Sequence, residues 1–244
     1  VNSPFELTDR TVLVTGATGG IGFAICEGIA RAGGIVIATG RNSEMLGNLR
    51  LSIGDNGHKF YNTEIRSETA RAALIQELPL LHGVVHAAGI LKLMPLRFID
   101  EAEFQSITDT NYKVPVFFTQ ELLQNKKIAK GGSIVMIASA GTILGVAGNL
   151  TYLASKGALI TASRIMAIEL ARQKIRVNCI SPALVETPLL TYITEEEKEV
   201  QRQKHLLGLG QPEDVANTSV FLLSEASKWM TGSNLILDGG FSLK

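Results

Sequence analysis

Cysteine is scarce in this chain of 244 residues: only Cys26 and Cys179 occur, each inside an apolar run. Two such residues give no basis for a disulfide framework or a cysteine-built metal site, and a reducing cytoplasm is the expected compartment. The four histidines, His58, His82, His86 and His205, have no ligand-like spacing among themselves or with the cysteines, so no metal is expected. Net charge is missing as well, because 23 basic and 23 acidic residues cancel. That balance supplies no electrostatic reason to look for nucleic acid or an anionic membrane surface as the partner. No apolar window is long enough to span a bilayer, and the first residues do not join a basic stretch to an apolar one. A soluble protein without membrane attachment is therefore expected. Linkers, repeats and low-complexity tracts are lacking too. A small-molecule partner is what these absences leave.

What is abundant is apolar surface: 45% of the residues are hydrophobic, enough for a large core in one domain spanning residues 1–244. Runs that read as buried strands recur at 11–14, 35–38, 58–61, 83–86, 133–137, 175–180 and 234–237. Helical patterns fill most of the gaps, at 21–32, 43–52, 67–77, 100–124, 152–172, 195–205 and 213–224. Continuous rather than alternating apolar strands are what a parallel sheet covered on both faces requires. The alternation of strand and helix predicts an α/β fold, a doubly wound sheet of about seven parallel strands with helices on both faces.

Directly after the first strand stands Thr15-Gly16-Ala17-Thr18-Gly19-Gly20-Ile21-Gly22, followed by an amphipathic helix. Glycines serve where a chain turns sharply from strand to helix and must approach a pyrophosphate, with the helix N-terminus facing the phosphates. Gly16, Thr18, Gly19, Gly20, Ile21 and Gly22 are thus candidate dinucleotide contacts. At the end of the second strand, where an acid commonly holds the ribose 2′-hydroxyl of NAD, the chain reads Ala38-Thr39-Gly40-Arg41. A guanidinium binds a 2′-phosphate that an acid would repel, so Arg41 predicts NADP(H).

Tyr152 and Lys156 lie four residues apart at an expected helix start, on one face. An ammonium beside a phenol favours the phenolate and brings a resting pKa of about 10 toward a useful range, which makes Tyr152 a candidate general acid/base. Ser139 stands thirteen residues earlier, at a strand end. In this order, glycine loop, Ser139 and Tyr152 with Lys156, the chain resembles the compact single-domain branch of the short-chain dehydrogenase/reductase family, almost end to end. The resemblance implies a Rossmann-like fold and a ketone–alcohol oxidoreductase. It implies Tyr152 as proton donor, Lys156 as its activator and anchor of the nicotinamide ribose, Ser139 as a partner of the carbonyl, and Asn111 as the asparagine of a water-borne proton relay. It also implies cofactor contacts at Pro182, Val185 and Thr187, in Ser181-Pro-Ala-Leu-Val-Glu-Thr187, and at Ala87, Ala88 and Gly89. Two departures stand out: Ala183 replaces the family's usual glycine, and His86-Ala87 replaces an asparagine pair. His86, without an oriented partner, reads as structural.

Substrate walls are expected from residues 90–95, 140–150 and 189–207, with a lid at about 188–210. These stretches are rich in Leu, Ile, Val and Met, which suits an apolar ketone or acyl chain. The nearest overall likeness within the family is to 3-oxoacyl thioester reductases, and Lys126, Lys127 and Lys130 offer a basic patch for an acyl carrier protein. The apolar long helices and the C-terminal Met230–Gly240 stretch point to a homotetramer or homodimer. A catalytically silent NADP(H) sensor or scaffold is the rival class, and an epimerase or dehydratase using the same tyrosine is a second. Lys174 replaces a helix-ending glycine, and strain at positive φ is expected there.

Overall fold

The computed structural model describes residues 3–188, 190 and 193–243. Seven strands form one sheet: β1 (Thr11–Thr15), β2 (Ile35–Gly40), β3 (Lys59–Asn62), β4 (Leu81–His86), β5 (Ile128–Ile137), β6 (Arg176–Pro182) and β7 (Asn234–Leu237). Their order is β3-β2-β1-β4-β5-β6-β7, and every neighbouring pair is parallel. Among the described residues the helices are α1 (Gly20–Arg31), α2 (Ser43–Ile53), α3 (Glu68–Glu77), α4 (Glu101–Thr108), α5 (Val114–Gln124), α6 (Gly141–Leu144), α7 (Leu150–Glu169), α8 (Glu195–Lys204) and α9 (Pro212–Leu223).

Strand periodicity divides the core in two. Val12, Val14, Val36, Ala38 and Val85 face one layer with Ile25 and Ile29 of α1, Leu46 and Leu49 of α2, and Val215 and Leu222 of α9. Leu13, Ile37 and Val84 face the other, with Leu74 and Ile75 of α3, Phe118 and Leu122 of α5, and Leu159 and Ile160 of α7. Because both faces are covered, central strands need apolar residues throughout, which explains the uninterrupted runs in the sequence. The chain winds outward from β1 to β3, then crosses back to place β4 on the other side of β1. Ligands in such sheets bind at the carboxyl ends of the strands beside that reversal.

Three boundaries differ from expectation. The edge strand β3 lies one residue later than 58–61, since His58 is drawn off to accept the Val36 N–H at its Nδ1, 3.0 Å away. β5 starts earlier than 133, with a bulge that shifts its register against β4. The helix expected over 100–124 is interrupted by a π-helical turn, Asp109–Lys113, that carries Asn111. Pro115 has no N–H to return to the Asn111 carbonyl four residues back, so a regular α-helix cannot run through.

Lys174 does adopt the left-handed conformation, at φ 57° and ψ 22°, as the chain turns from the end of α7 into β6. Strain of about 1–2 kcal/mol there is partly offset by the flexibility a glycine would bring to the unfolded chain. Lys174→Gly is therefore expected to stabilise the fold by roughly 0.5–1 kcal/mol, raising Tm by about 2 °C in thermal unfolding. A lower Tm would show that the lysine side chain contributes more than its backbone costs.

Candidate active site

The glycine loop is built by close backbone approach. Gly16 has φ +67°, and a Cβ on it would lie 2.6 Å from the Ala88 Cα and amide nitrogen, so the loop after β1 presses onto the loop after β4. Gly22 would collide with the Gly16 carbonyl at 2.2 Å, and Gly20 with the Thr187 methyl at 2.8 Å. Thr18 fills the space beside Gly40. A Cβ on Gly19, by contrast, would meet only the Gly16 oxygen at 3.5 Å. No side chain caps the first turn of α1 and no acid stands in it. The positive end of the helix is thereby left to an external anion, as a dinucleotide pyrophosphate site requires.

Arg41 leaves the end of β2 with an exposed side chain and a long 3.4 Å contact from Nη1 to Glu64 Oε2. Glu64 belongs chiefly to Arg66, whose hydrogen bond is the main cause that holds its carboxyl down at about 2. The guanidinium of Arg41 is thus only loosely engaged, by a single long contact to a carboxylate that Arg66 holds more closely.

At the carboxyl ends of β4, β5 and β6 the remaining residues converge. Asn111 is fully buried in the π turn; its Oδ1 accepts the Ile90 N–H at 2.8 Å, and its Nδ2 donates to the Ile90 carbonyl at 2.9 Å and to Ser155 Oγ at 3.2 Å. That amide ties the loop after β4 to α7. Both hydrogens of its amide are engaged, and its backbone carbonyl lacks the N–H that a residue other than Pro115 would return to it. Ser155, between Tyr152 and Lys156 in the chain, serves as this partner.

Ser139 follows β5 and is half-buried. Its Oγ accepts the Gly141 N–H at 3.2 Å, while its carbonyl takes the Thr142 N–H and hydroxyl. As an acceptor in that bond the hydroxyl keeps its own proton to donate. Tyr152 sits in the first turn of α7, and Lys156 one turn on, with the ammonium 5.8 Å from the phenol ring centre. Lys156 is 4% exposed and donates to the Ile137 carbonyl at 2.7 Å. Burial pulls its pKa down to about 8, against a smaller upward pull from Cys179. A Cβ on Gly89 would stand 3.3 Å from the lysine nitrogen and 3.4 Å from Asn111 Oδ1, so glycine keeps that space open.

Ser139, Tyr152 and Lys156 line one cavity of about 490 Å3 together with Ile21, Ala87, Gly89, Pro182, Val185 and Thr187. Ala183, also on its wall, donates its N–H to the Leu237 carbonyl at 3.0 Å and has no positive φ, so the extra methyl is accommodated without backbone strain. The other departure leaves one buried atom, His86 Nδ1, without a partner among the described residues. His86 is buried, its Nε2 lies 2.9 Å from Thr119 Oγ1, and burial pulls its pKa down to about 4, as suits a neutral structural side chain. Ala88 is held instead by its N–H to Thr15 Oγ1 at 3.3 Å.

The remaining walls are mostly apolar, from Leu91 and Leu93, Leu144 and Val146, and Leu190 and Ile193. Leu189, Thr191 and Tyr192 of the expected lid lie outside the described residues. Phe241 also lines the cavity, because the C-terminal turn folds back on the lid: the Leu207 N–H bonds the Gly239 carbonyl at 3.0 Å and Phe241 stacks on His205. Sequence reading missed this residue, which no local pattern marks.

One expected feature is misplaced. Lys126, Lys127 and Lys130 stand at the opposite end of β5 from Ser139, with Ile128 in register with Leu81 and Met136 with His86, roughly 17 Å along the strand. Lys127 moreover gives its ammonium to the Leu78 carbonyl at 2.6 Å. These lysines do not border the cavity. Among the described residues no three His, Cys, Asp or Glu side chains gather as a metal site would need, and no helix is long and apolar enough to cross a membrane.

A family profile described as Enoyl-(Acyl carrier protein) reductase matches residues 16–242. Over 240 residues the chain is 34% identical to the 3-oxoacyl-[acyl-carrier-protein] reductase FabG of Rickettsia felis, covering 96% of this chain and 98% of that one. A short-chain type dehydrogenase/reductase from Mycobacterium ulcerans superposes with a TM-score of 0.89 at 30% identity, over 98% of this chain and 92% of the other. The angucycline C-6 ketoreductase LanV, solved with bound NADP, gives a TM-score of 0.91 at 26% identity over 98% of both chains.

Proposed function

The chain belongs to the short-chain dehydrogenase/reductase family and is an oxidoreductase acting between CH–OH and C=O, and from that premise we propose that it reduces 3-oxoacyl thioesters with NADPH, Tyr152 giving the proton. The observation that carries this reading is the buried ammonium of Lys156 beside the Tyr152 ring, on the wall of the cavity that Ser139 also lines.

The residues present fit a dinucleotide. Gly16, Gly20 and Gly22 allow the close contacts that shape the loop, Gly19 leaves open space beside it, the first turn of α1 is uncapped, and Arg41 offers a guanidinium suited to a 2′-phosphate. When bound, the nicotinamide supplies the hydride chemistry. The chain's own residues do the rest. Ser139 and Tyr152 hydroxyls donate to the substrate oxygen as negative charge grows on it, and Tyr152 passes its proton to that oxygen. Lys156, held by the Ile137 carbonyl, keeps a positive charge near the phenol and reaches toward the cofactor ribose. Asn111 fixes the loop after β4 against α7, so that Gly89 and Ile90 stay in place beside the lysine. Apolar walls exclude water and accept an acyl chain. Exposed apolar side chains on α4, α5 and α7, namely Phe104, Phe117, Ile165 and Ile168, support burial between copies in a dimer or tetramer.

Arg41→Asp tests the cofactor. Loss of a charge-assisted contact and gain of repulsion are expected to lower the ratio of kcat/KM with NADPH to that with NADH by about 100-fold. An unchanged ratio would remove Arg41 from the account. The substrate is tested by supplying NADPH with a 3-oxoacyl thioester, an enoyl thioester, a steroid ketone and a simple ketone. Preference for the 3-oxoacyl thioester supports the reading, and preference for any other overturns it.

A further inference from the structure

Resting on the thioester reading, we infer that Lys204 is a specificity-determining residue that binds the phosphate of the arm carrying the acyl group. Among the described residues only two that line the cavity bear a lysine or arginine charge, Lys156 and Lys204. The first serves the reaction; the second, in the last turn of α8, has no part in it.

The neighbouring cations are neutralised within the chain. Lys198 pairs with Glu195 at 2.6 Å, Arg202 with Glu186 at 3.0 Å and Lys92 with Glu103 at 2.7 Å. Lys204 is exposed and, among the described residues, has no carboxylate within 4 Å. The helix dipole favours a cation in a last turn, which accounts for the charge but not for its place on a wall that is otherwise mostly apolar.

The next residue complements it. His205 lies with Nδ1 2.6 Å from the Gln201 carbonyl, which can only accept, so Nδ1 carries a proton, and in that tautomer Nε2 is the acceptor. That Nε2 is buried without a partner among the described residues, in a side chain that lines the cavity and stacks on Phe241 at 4.4 Å. One turn of the lid thus sets a cation, an acceptor and the amide of Gln201 on a single wall. A phosphopantetheine arm carries the matching groups, a phosphate and amide N–H donors, whereas a plain apolar ketone has none of them.

Lys204→Met separates the possibilities when three thioesters with the same 3-oxobutanoyl group are compared: the CoA ester, the pantetheine ester without phosphate, and the N-acetylcysteamine ester. The variant is expected to raise KM for the CoA ester about tenfold with kcat within twofold, and to change KM for the two phosphate-free esters less than twofold. Added salt should raise the wild-type KM for the CoA ester and narrow its gap to the variant. Equal effects on all three esters, or none on any, overturn the role of Lys204 while leaving thioester reduction intact. Turnover of no thioester by the unaltered chain overturns the thioester reading, and this inference with it.

Discussion

Tyr152→Phe lowers kcat for carbonyl reduction by about 10³-fold while dinucleotide affinity stays within twofold. The substitution removes one oxygen and keeps the ring, which is half-buried in the first turn of α7, so packing is preserved. What is lost is the proton donor, a contribution commonly in the range of 10²–10⁴. Ser139 remains to polarise the substrate oxygen, which is why a residual rate is expected rather than none. The cofactor cradle at Gly16–Gly22 and Arg41 is untouched, and fluorescence titration with NADPH would verify that binding survives. Activity within threefold of wild type would show that the phenol is not the acid and would favour the rival class, a nucleotide-binding sensor or scaffold.

Lys156→Met is expected to act in opposite directions on activity and on stability. Activity falls by about 10³-fold or more, since the charge that supports Tyr152 is gone. The fold free of cofactor gains stability, because a buried ammonium with one carbonyl partner is replaced by an apolar side chain of similar length. The drop in the lysine pKa from 10.5 to about 8 sets the scale, a few kcal/mol at roughly 1.4 kcal/mol per unit. The sign in pH follows. Between about 8 and 10.5 the unfolded chain binds the proton and the folded chain does not, so wild-type stability attributable to this group rises with pH across that window. The variant's advantage in Tm should therefore be largest below pH 8 and shrink toward pH 10.5. An apo protein destabilised by Lys156→Met at pH 7 would mean that the ammonium is a net structural asset.

Much of the fold could be read from the chain because buried parallel strands leave an unmistakable mark. Val12, Leu13 and Val14 are all apolar since alternate residues enter different core layers, and neither face of β1 meets water. The order glycine loop, Ser139, Tyr152 and Lys156 marked the site in the same way, each at the carboxyl end of a strand or the start of a helix. What stayed hidden depends on contacts distant in sequence. The interruption at Asn111 arises from Pro115 together with the pull of Ile90, and proline near a helix start is otherwise an ordinary opening signal. Phe241 joins the cavity only because the turn after β7 closes on Leu207. Lys126, Lys127 and Lys130 are close in sequence, yet they stand at the start of β5 while the reaction site follows its end. Position along a parallel strand, not charge, decided that question.

The central claim is that this chain moves a hydride from NADPH to a carbonyl carbon and a proton from Tyr152 to its oxygen. Turnover of a 3-oxobutanoyl thioester with NADPH carrying deuterium at the transferable position of C4 tests it most directly, by mass and NMR analysis of both products. The account predicts one deuterium per molecule on the new carbinol carbon, none at the hydroxyl, and one NADP+ formed for each alcohol. Deuterium retained in the nucleotide with no net NADPH consumed would contradict it, whether the chain proved to be a binder or an enzyme that recycles its cofactor.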